Sequence, residues 1–338
     1  MFIIGVGMSI DIDKYIKSFI VDSDSKIIVE STKIVNNKGF DCWSFKKLIF
    51  LKYYIKPYLD IMQRHVDKCF YLDLFSGCGA NKLGNLEIFS IGSPIVSILS
   101  GVRKLKNGKI NKFDKWFFID QNKEYCDSLN DRVKKTVEMV EKNEGVLIDN
   151  DDIRIICGDC NDKIDDVITE INELADGSKI SLLVFIDPYK FTNIKWRTIE
   201  KILELKYVDV IFNFPTGTMK RSVELKNWGL YLPPSLLSMK SDVCTMKQEE
   251  VTKRYAEDMS KIMKRKKSMT FYTCGISVRT RKQTEISHIK LFTHCDKNII
   301  IKITDGIFVK LDKLRCSDLE NIIEKVIGKQ RGLKRFLK

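Results

Sequence analysis

Between residues 66 and 215 the sequence repeats one pattern: an apolar run stops at an acid, and an amphipathic helix follows. The runs are Phe70-Tyr-Leu-Asp73, Lys115-Trp-Phe-Phe-Ile-Asp120, Asp152-Ile-Arg-Ile-Ile-Cys-Gly-Asp159 and Lys179-Ile-Ser-Leu-Leu-Val-Phe-Ile-Asp187, and Val208 to Pro215 closes the series. Strands that alternate with helices in this way form βαβ units and a mainly parallel sheet covered on both faces. Ligands bind such sheets beyond the carboxyl ends of the strands, where all these acids fall.

The first strand runs into Asp73-Leu-Phe75-Ser76-Gly77-Cys-Gly79, a group of small residues that lets backbone approach a ligand closely. An ordinary strand-to-turn junction has the same composition, so the loop alone does not decide. Asp120 ends the second strand, where an acid in nucleotide-binding folds takes two vicinal ribose hydroxyls; a plain helix cap would look the same. Gly158 and Asp159 repeat the strand-glycine-acid pattern, and Asp187-Pro188-Tyr189 follows the most apolar strand in the chain.

Upstream, Lys26 to Val35 reads as a strand or hairpin, with a turn at Asn36-Asn-Lys-Gly39. A helix capped by Ser44 carries an apolar stripe of Phe45, Leu48, Ile49, Ile55, Leu59 and Met62, with a kink expected at Pro57. Its basic face of Lys46, Lys47, Lys52 and Lys56 is expected to be solvated. Ser93 as cap and Pro94 in the first turn announce the next helix. Past Pro215, Trp228 and Tyr231 either pack on the core or form a substrate lip. A charged helix spans about 247–267, and Met269–Val278 and Ile286–Phe292 are close enough to pair antiparallel. The chain ends in a basic amphipathic helix over 319–338.

At 338 residues, 44% apolar and 30% charged, the chain has room for one large domain or two modest ones. No apolar run approaches the roughly 20 residues that span a bilayer. An amino terminus without a basic start, running into Asp11 and Asp13, argues against a signal peptide. The ten cysteines have no framework spacing, which points to reduced thiols and a cytoplasmic protein. Cys157-x-x-Cys160 lacks a second pair, and no metal site is expected. A net charge of +13 exceeds what solubility requires and suits a polyanion such as RNA or DNA.

Taken together, the strand-end acids, the glycine loop and the Asp-Pro-aromatic turn look like a class I methyltransferase that binds S-adenosylmethionine. More narrowly, Trp43-Ser-Phe-Lys-Lys-Leu48, Tyr71 to Gly79, Ile91-Gly-Ser-Pro94, Cys157-Gly-Asp-Cys-Asn161, Phe185-Ile-Asp-Pro-Tyr189 and Asp209 to Pro215 resemble the three-Cys-motif partner protein (TcmP) family. The resemblance implies a Rossmann-like α/β fold, with a mainly parallel seven-stranded sheet whose last strand is antiparallel. It divides the chain into an extension and helix over 1–65, the α/β domain over 66–310 and a basic helical end over 311–338. It places Asp73, Phe75, Ser76, Gly77 and Gly79 around the amino-acid end of the cofactor, Asp120 on the ribose, and Gly158 and Asp159 at the adenine.

Asp187-Pro188-Tyr189 resembles the Asp-Pro-Pro-Tyr motif of methyltransferases that modify exocyclic amines of bases. In that motif an acid and a carbonyl orient the amine and the aromatic stacks on an extruded base. Here one proline is missing and Lys190 follows. Dinucleotide oxidoreduction fits less well, because Lys82 stands at the third fingerprint position. Two functions follow: a methyltransferase acting on nucleic acid, or a non-catalytic partner subunit of a defence or nucleic-acid-modification system that keeps the fold. A three-Cys-motif protein is the partner implied in either case.

Overall fold

The computed structural model describes residues 11–20, 23–36, 44–83, 89–219, 227–239, 242–243, 245–265, 272–279, 285–293 and 297–336. Seven strands form its central sheet: β1 (Lys68–Asp73), β2 (Lys115–Asp120), β3 (Ile153–Cys157), β4 (Ile180–Ile186), β5 (Val208–Phe214), β6 (Tyr272–Arg279) and β7 (Glu285–Thr293). Their order is β3-β2-β1-β4-β5-β7-β6. The first five strands run parallel. β7 lies antiparallel between β5 and β6. The chain therefore starts at the middle of the sheet and builds outward in both directions, so the order reverses beside β1. In an open α/β sheet that reversal opens a crevice over the strand ends.

Strand period explains the two cores. Along β1, Cys69 and Tyr71 point to one face, and Phe70 and Leu72 to the other. The second face is covered by α6 (Cys160–Ala175), α7 (Trp196–Leu203) and the charged helix Gln248–Arg265, whose Val251, Tyr255, Met259 and Met263 are buried. The first face is covered by α1 (Ile12–Ile20), α2 (Ser23–Glu30), α3 (Phe45–Met62), α4 (Ser93–Ser100) and α5 (Lys123–Glu144), and by buried residues of the later helices Lys297–Lys313 and Cys316–Phe336. The architecture is a three-layer, Rossmann-like α/β sandwich. No described helix is long and apolar enough to cross a membrane.

Several local expectations change. Residues 23–30 are helical rather than extended. In place of a hairpin, Asn36 alone bridges Asn81 in parallel. Residues 37–39 of the expected turn, and Trp43 of the family motif, lie outside the described residues. α3 continues past the expected kink position, Pro57, to Met62, with its stripe buried from Phe45 onward. Ser44 makes no side-chain cap bond. Gly92, not Ser93, is the N-cap of α4, which frees the Ser93 side chain for the site described below. On the basic face of α3 only Lys56 is exposed; Lys46 and Lys47 are buried, and Lys52 donates to Ser18 Oγ at 2.7 Å. Trp228 is buried and Tyr231 packs edge-on against Phe191, so neither forms an open lip.

Candidate cofactor and substrate site

Asp73 ends β1 with its side chain fully buried. Its Oδ1 accepts the Phe75 N–H at 3.1 Å, and its Oδ2 has no hydrogen-bond partner. Burial pushes its pKa up to about 7; the nearby Ser93 hydroxyl and the Phe75 N–H pull it back in part, and the charges of Asp187 and Asp120 add to the rise. A buried carboxylate oxygen without a donor is among the costliest groups a fold can keep. It marks a place where a donor or a cation fits.

The loop after Asp73 is tied to β2. Ser76 donates its N–H and its hydroxyl to the Ile119 carbonyl, at 2.9 and 3.0 Å. The Gly77 N–H goes to Asp120 Oδ2 at 2.9 Å. Gly77 holds a φ of +62°, with nothing within 4 Å of where a Cβ would stand. Gly79, at φ +78°, is the opposite case: a Cβ there would lie 2.9 Å from Leu129 Cδ1. Gly77 thus faces open space, whereas Gly79 is required by protein packing. Phe75, half-buried, packs on the core below.

Asp120 ends β2 and organises the turn behind it. Its Oδ1 accepts the Asn122 N–H at 2.8 Å, and its carbonyl takes the Gly158 N–H at 2.9 Å. Burial raises its pKa, with those two carboxylate hydrogen bonds lowering it. Each carboxylate oxygen still has lone-pair capacity for a hydroxyl donor. The α5 cap expected of a strand-end acid is supplied instead by Asn122, which accepts from Glu124 and Tyr125.

Asp159 lies just past β3, next to the Gly158 whose N–H bonds the Asp120 carbonyl. It is exposed, and its Oδ1 caps α6 by accepting the Asn161 N–H at 2.8 Å. Asn161 in turn donates to the Asn193 carbonyl at 2.9 Å, which ties the end of β3 to the loop beyond β4.

Asp187, just past β4, is held from two sides. Lys47 Nζ lies 2.7 Å from Oδ2, and Asn213 Nδ2 lies 2.7 Å from Oδ1. Pro188 is buried, while Tyr189 is 67% exposed and presents an aromatic ring to solvent at the strand end. Asp120 and Asp187 thus both lie within electrostatic reach of Asp73, at the ends of three adjacent strands. Among the described residues no group of three His, Cys, Asp or Glu side chains is placed to hold a metal.

Three residues that shape this region are not marked as site residues by the sequence. Lys47 reads as surface and Asn213 as a residue of β5, although each lies in a stretch that resembles a TcmP motif. The third is Arg132 of α5, which is fully buried. Its guanidinium donates to the carbonyls of Cys78 (2.7 Å), Val29 (3.0 Å), Thr32 (3.2 Å) and Ile34 (2.7 Å), and to Ser128 Oγ (2.7 Å). Burial lowers its pKa. One side chain therefore bolts the amino-terminal segment to the glycine loop. Main-chain bonds from Asn36 N–H to the Ala80 carbonyl (3.0 Å) and from Lys82 N–H to the Asn36 carbonyl (2.9 Å) complete the joint.

No protein-family model matches the chain, and no curated protein sequence matches it. The likeness to the TcmP family therefore rests on the motifs alone. Among solved structures, protein LPL1258 from Legionella pneumophila superposes with a TM-score of 0.43 at 11% identity, covering 77% of this chain and 90% of its own. The O-methyltransferase from Bacillus cereus, solved in complex with SAH, superposes with a TM-score of 0.40 at 10% identity, covering 83% and 96%. Likenesses this distant say nothing about activity.

Proposed function

We propose that the protein is an S-adenosylmethionine-dependent methyltransferase of the class I type, acting on an exocyclic amine or other group of a nucleic acid, and that it belongs with the TcmP proteins. The observation that supports this most is the buried Asp73 carboxylate with its unpartnered Oδ2, set beside the open Gly77 and the Asp120 carboxylate. That arrangement suits a ligand that is cationic at one end and carries vicinal hydroxyls next to it. S-adenosylmethionine is such a ligand, with an ammonium and a sulfonium followed by a ribose. Asp73 and the Ser76–Gly79 loop would hold the amino-acid end, Asp120 the ribose, and Gly158 with Asp159 the adenine.

The cofactor supplies an electrophilic methyl on sulfur, so the protein's task is positioning. Asp187 accepts an N–H of the substrate amine and aims the nitrogen lone pair, and Tyr189 offers an exposed ring for a base to stack on, a contact worth about 1–3 kcal/mol. The proton displaced from nitrogen passes to water once the methyl has been transferred.

The test is transfer of a tritiated methyl from labelled cofactor to total RNA or DNA, with cofactor affinity measured by calorimetry. Asp120→Ala should weaken cofactor binding by about tenfold or more, equal to about 1.4 kcal/mol. Asp187→Ala should keep that affinity and lose transfer by about 10²-fold. Substrate binding should weaken steeply with salt, since phosphate contacts release counterions. Cofactor binding without transfer to either nucleic acid, with and without a three-Cys-motif protein, would put the partner-subunit reading in its place.

A further inference from the structure

The Asp187 carboxylate is not simply the residue that follows β4; it is clamped by side chains from two other elements. Lys47 comes from α3, 140 residues earlier, and Asn213 from β5, 26 residues later. The pair is largely withdrawn from water, with side-chain exposures of 11% for Lys47 and 23% for Asp187. An ammonium taken out of water is stabilised only where a carboxylate meets it in good geometry, and an apolar residue at the same place usually serves stability better. The surrounding residues show that alternative: Leu48, Ile49, Phe50 and Leu51 are all buried in the core. Lys47 is a charge set among them and directed at a strand end that carries the candidate substrate carboxylate.

A carboxylate at a strand end turns freely about its side-chain torsions unless something fixes its plane. Two donors at 2.7 Å, one to each oxygen, fix that plane. Each oxygen keeps lone-pair capacity, so the fixed group is acceptor-only toward a substrate. We infer that Lys47 and Asn213 are positioning residues that hold Asp187 in the orientation in which it accepts a substrate N–H; this rests on the methyltransferase reading above. α3 is then part of the reactive centre, and the group offered to Asp187 is a hydrogen-bond donor, which an amine N–H supplies.

The experiment uses the full-length protein, tritiated cofactor, and total RNA and total DNA as separate substrates, with steady-state kinetics, calorimetric cofactor affinity and thermal melting for each variant. For Lys47→Met and Asn213→Ala the cofactor Kd and the substrate KM should stay within about threefold of wild type, and kcat should fall by about 10²-fold, the effect of a misaligned reacting group. Lys47→Arg keeps a cation on the same helix and should recover at least about tenfold of that loss. Wild-type kcat in Lys47→Met would overturn the inference, as would a folded Lys47→Arg no faster than Lys47→Met, or a loss confined to KM or cofactor Kd. If melting shows Lys47→Met unfolded, the same kcat criterion applied to Asn213→Ala decides. Absence of transfer by the wild-type protein to either nucleic acid would remove the methyltransferase reading itself, and the positioning roles with it, before any variant is compared.

Discussion

The two sides of the crevice are built from different materials. On the β1–β2 side, Ser76, Gly77 and Phe75 are fixed by bonds that involve main chain, and the residues concerned lie within one loop and its neighbouring strand. On the β4–β5 side, Asp187 is fixed by two side-chain bonds that reach across the fold. The first side needs only two adjacent strands, with Ser76 and Gly77 bonded to partners 43 residues further on. The second draws on three elements, with partners 140 and 26 residues from Asp187.

Replacing Arg132 with Met tests the first side most severely. Losing the guanidinium leaves the buried carbonyls of Cys78 and Val29 without that donor and removes the ties to Thr32 and Ile34, and the expected destabilisation in urea unfolding is about 3 kcal/mol or more. A loss under about 1 kcal/mol would show that the joint between the amino-terminal segment and the loop is dispensable.

Asp73 gives a second, pH-dependent break in the comparison. Its folded pKa of about 7 lies above the value near 4 expected unfolded, so the native state holds a proton that the unfolded chain has released between those values. The contribution of Asp73 to stability is therefore greatest below about pH 4 and falls as pH rises toward 7, at up to about 1.4 kcal/mol per pH unit. Asp73→Asn should flatten that slope in melting curves recorded from pH 4 to 8 and be the more stable protein at the upper end. An unchanged slope would assign the pH dependence elsewhere.

The smallest expected effect on stability sharpens the contrast from the other side. Tyr189 is 67% exposed, so Tyr189→Ala should shift stability by no more than about 0.5 kcal/mol. Its substrate affinity should nevertheless drop by about tenfold, the loss of a stacking contact. A matching drop in melting temperature would recast the ring as a packing element.

The same division decides what was legible in the sequence. Period-2 strands and acids at their ends are local signals, and they placed β1 to β5, Asp73, Asp120 and Asp187 before any coordinates. The helix at 23–30 was missed because Ile27, Ile28 and Val29 are β-branched and read as strand, while burial of Ile28 and Val29 against the core overrides that preference. Lys47 reads as solvated because a lysine in the first turn of an amphipathic helix ordinarily is, and nothing near it in the chain announces a carboxylate 140 residues away. Arg132 was silent for the same reason: its partners are carbonyl groups, which every residue carries.

The ordering of these contacts along the chain has a consequence for biosynthesis. A ribosome adding about 5–20 residues per second completes α3 well before Asp187 leaves the exit tunnel, an interval of roughly 7–28 seconds for the 140 intervening residues. Over that interval β1, β2 and β3 appear, while β4 and β5, whose Leu183, Phe185 and Ile211 belong to the same core, come only at its end or later. The nascent protein thus passes through a stage in which the apolar stripe of α3 is only partly covered, a stage at which a chaperone that shields such surfaces would raise the yield of native molecules.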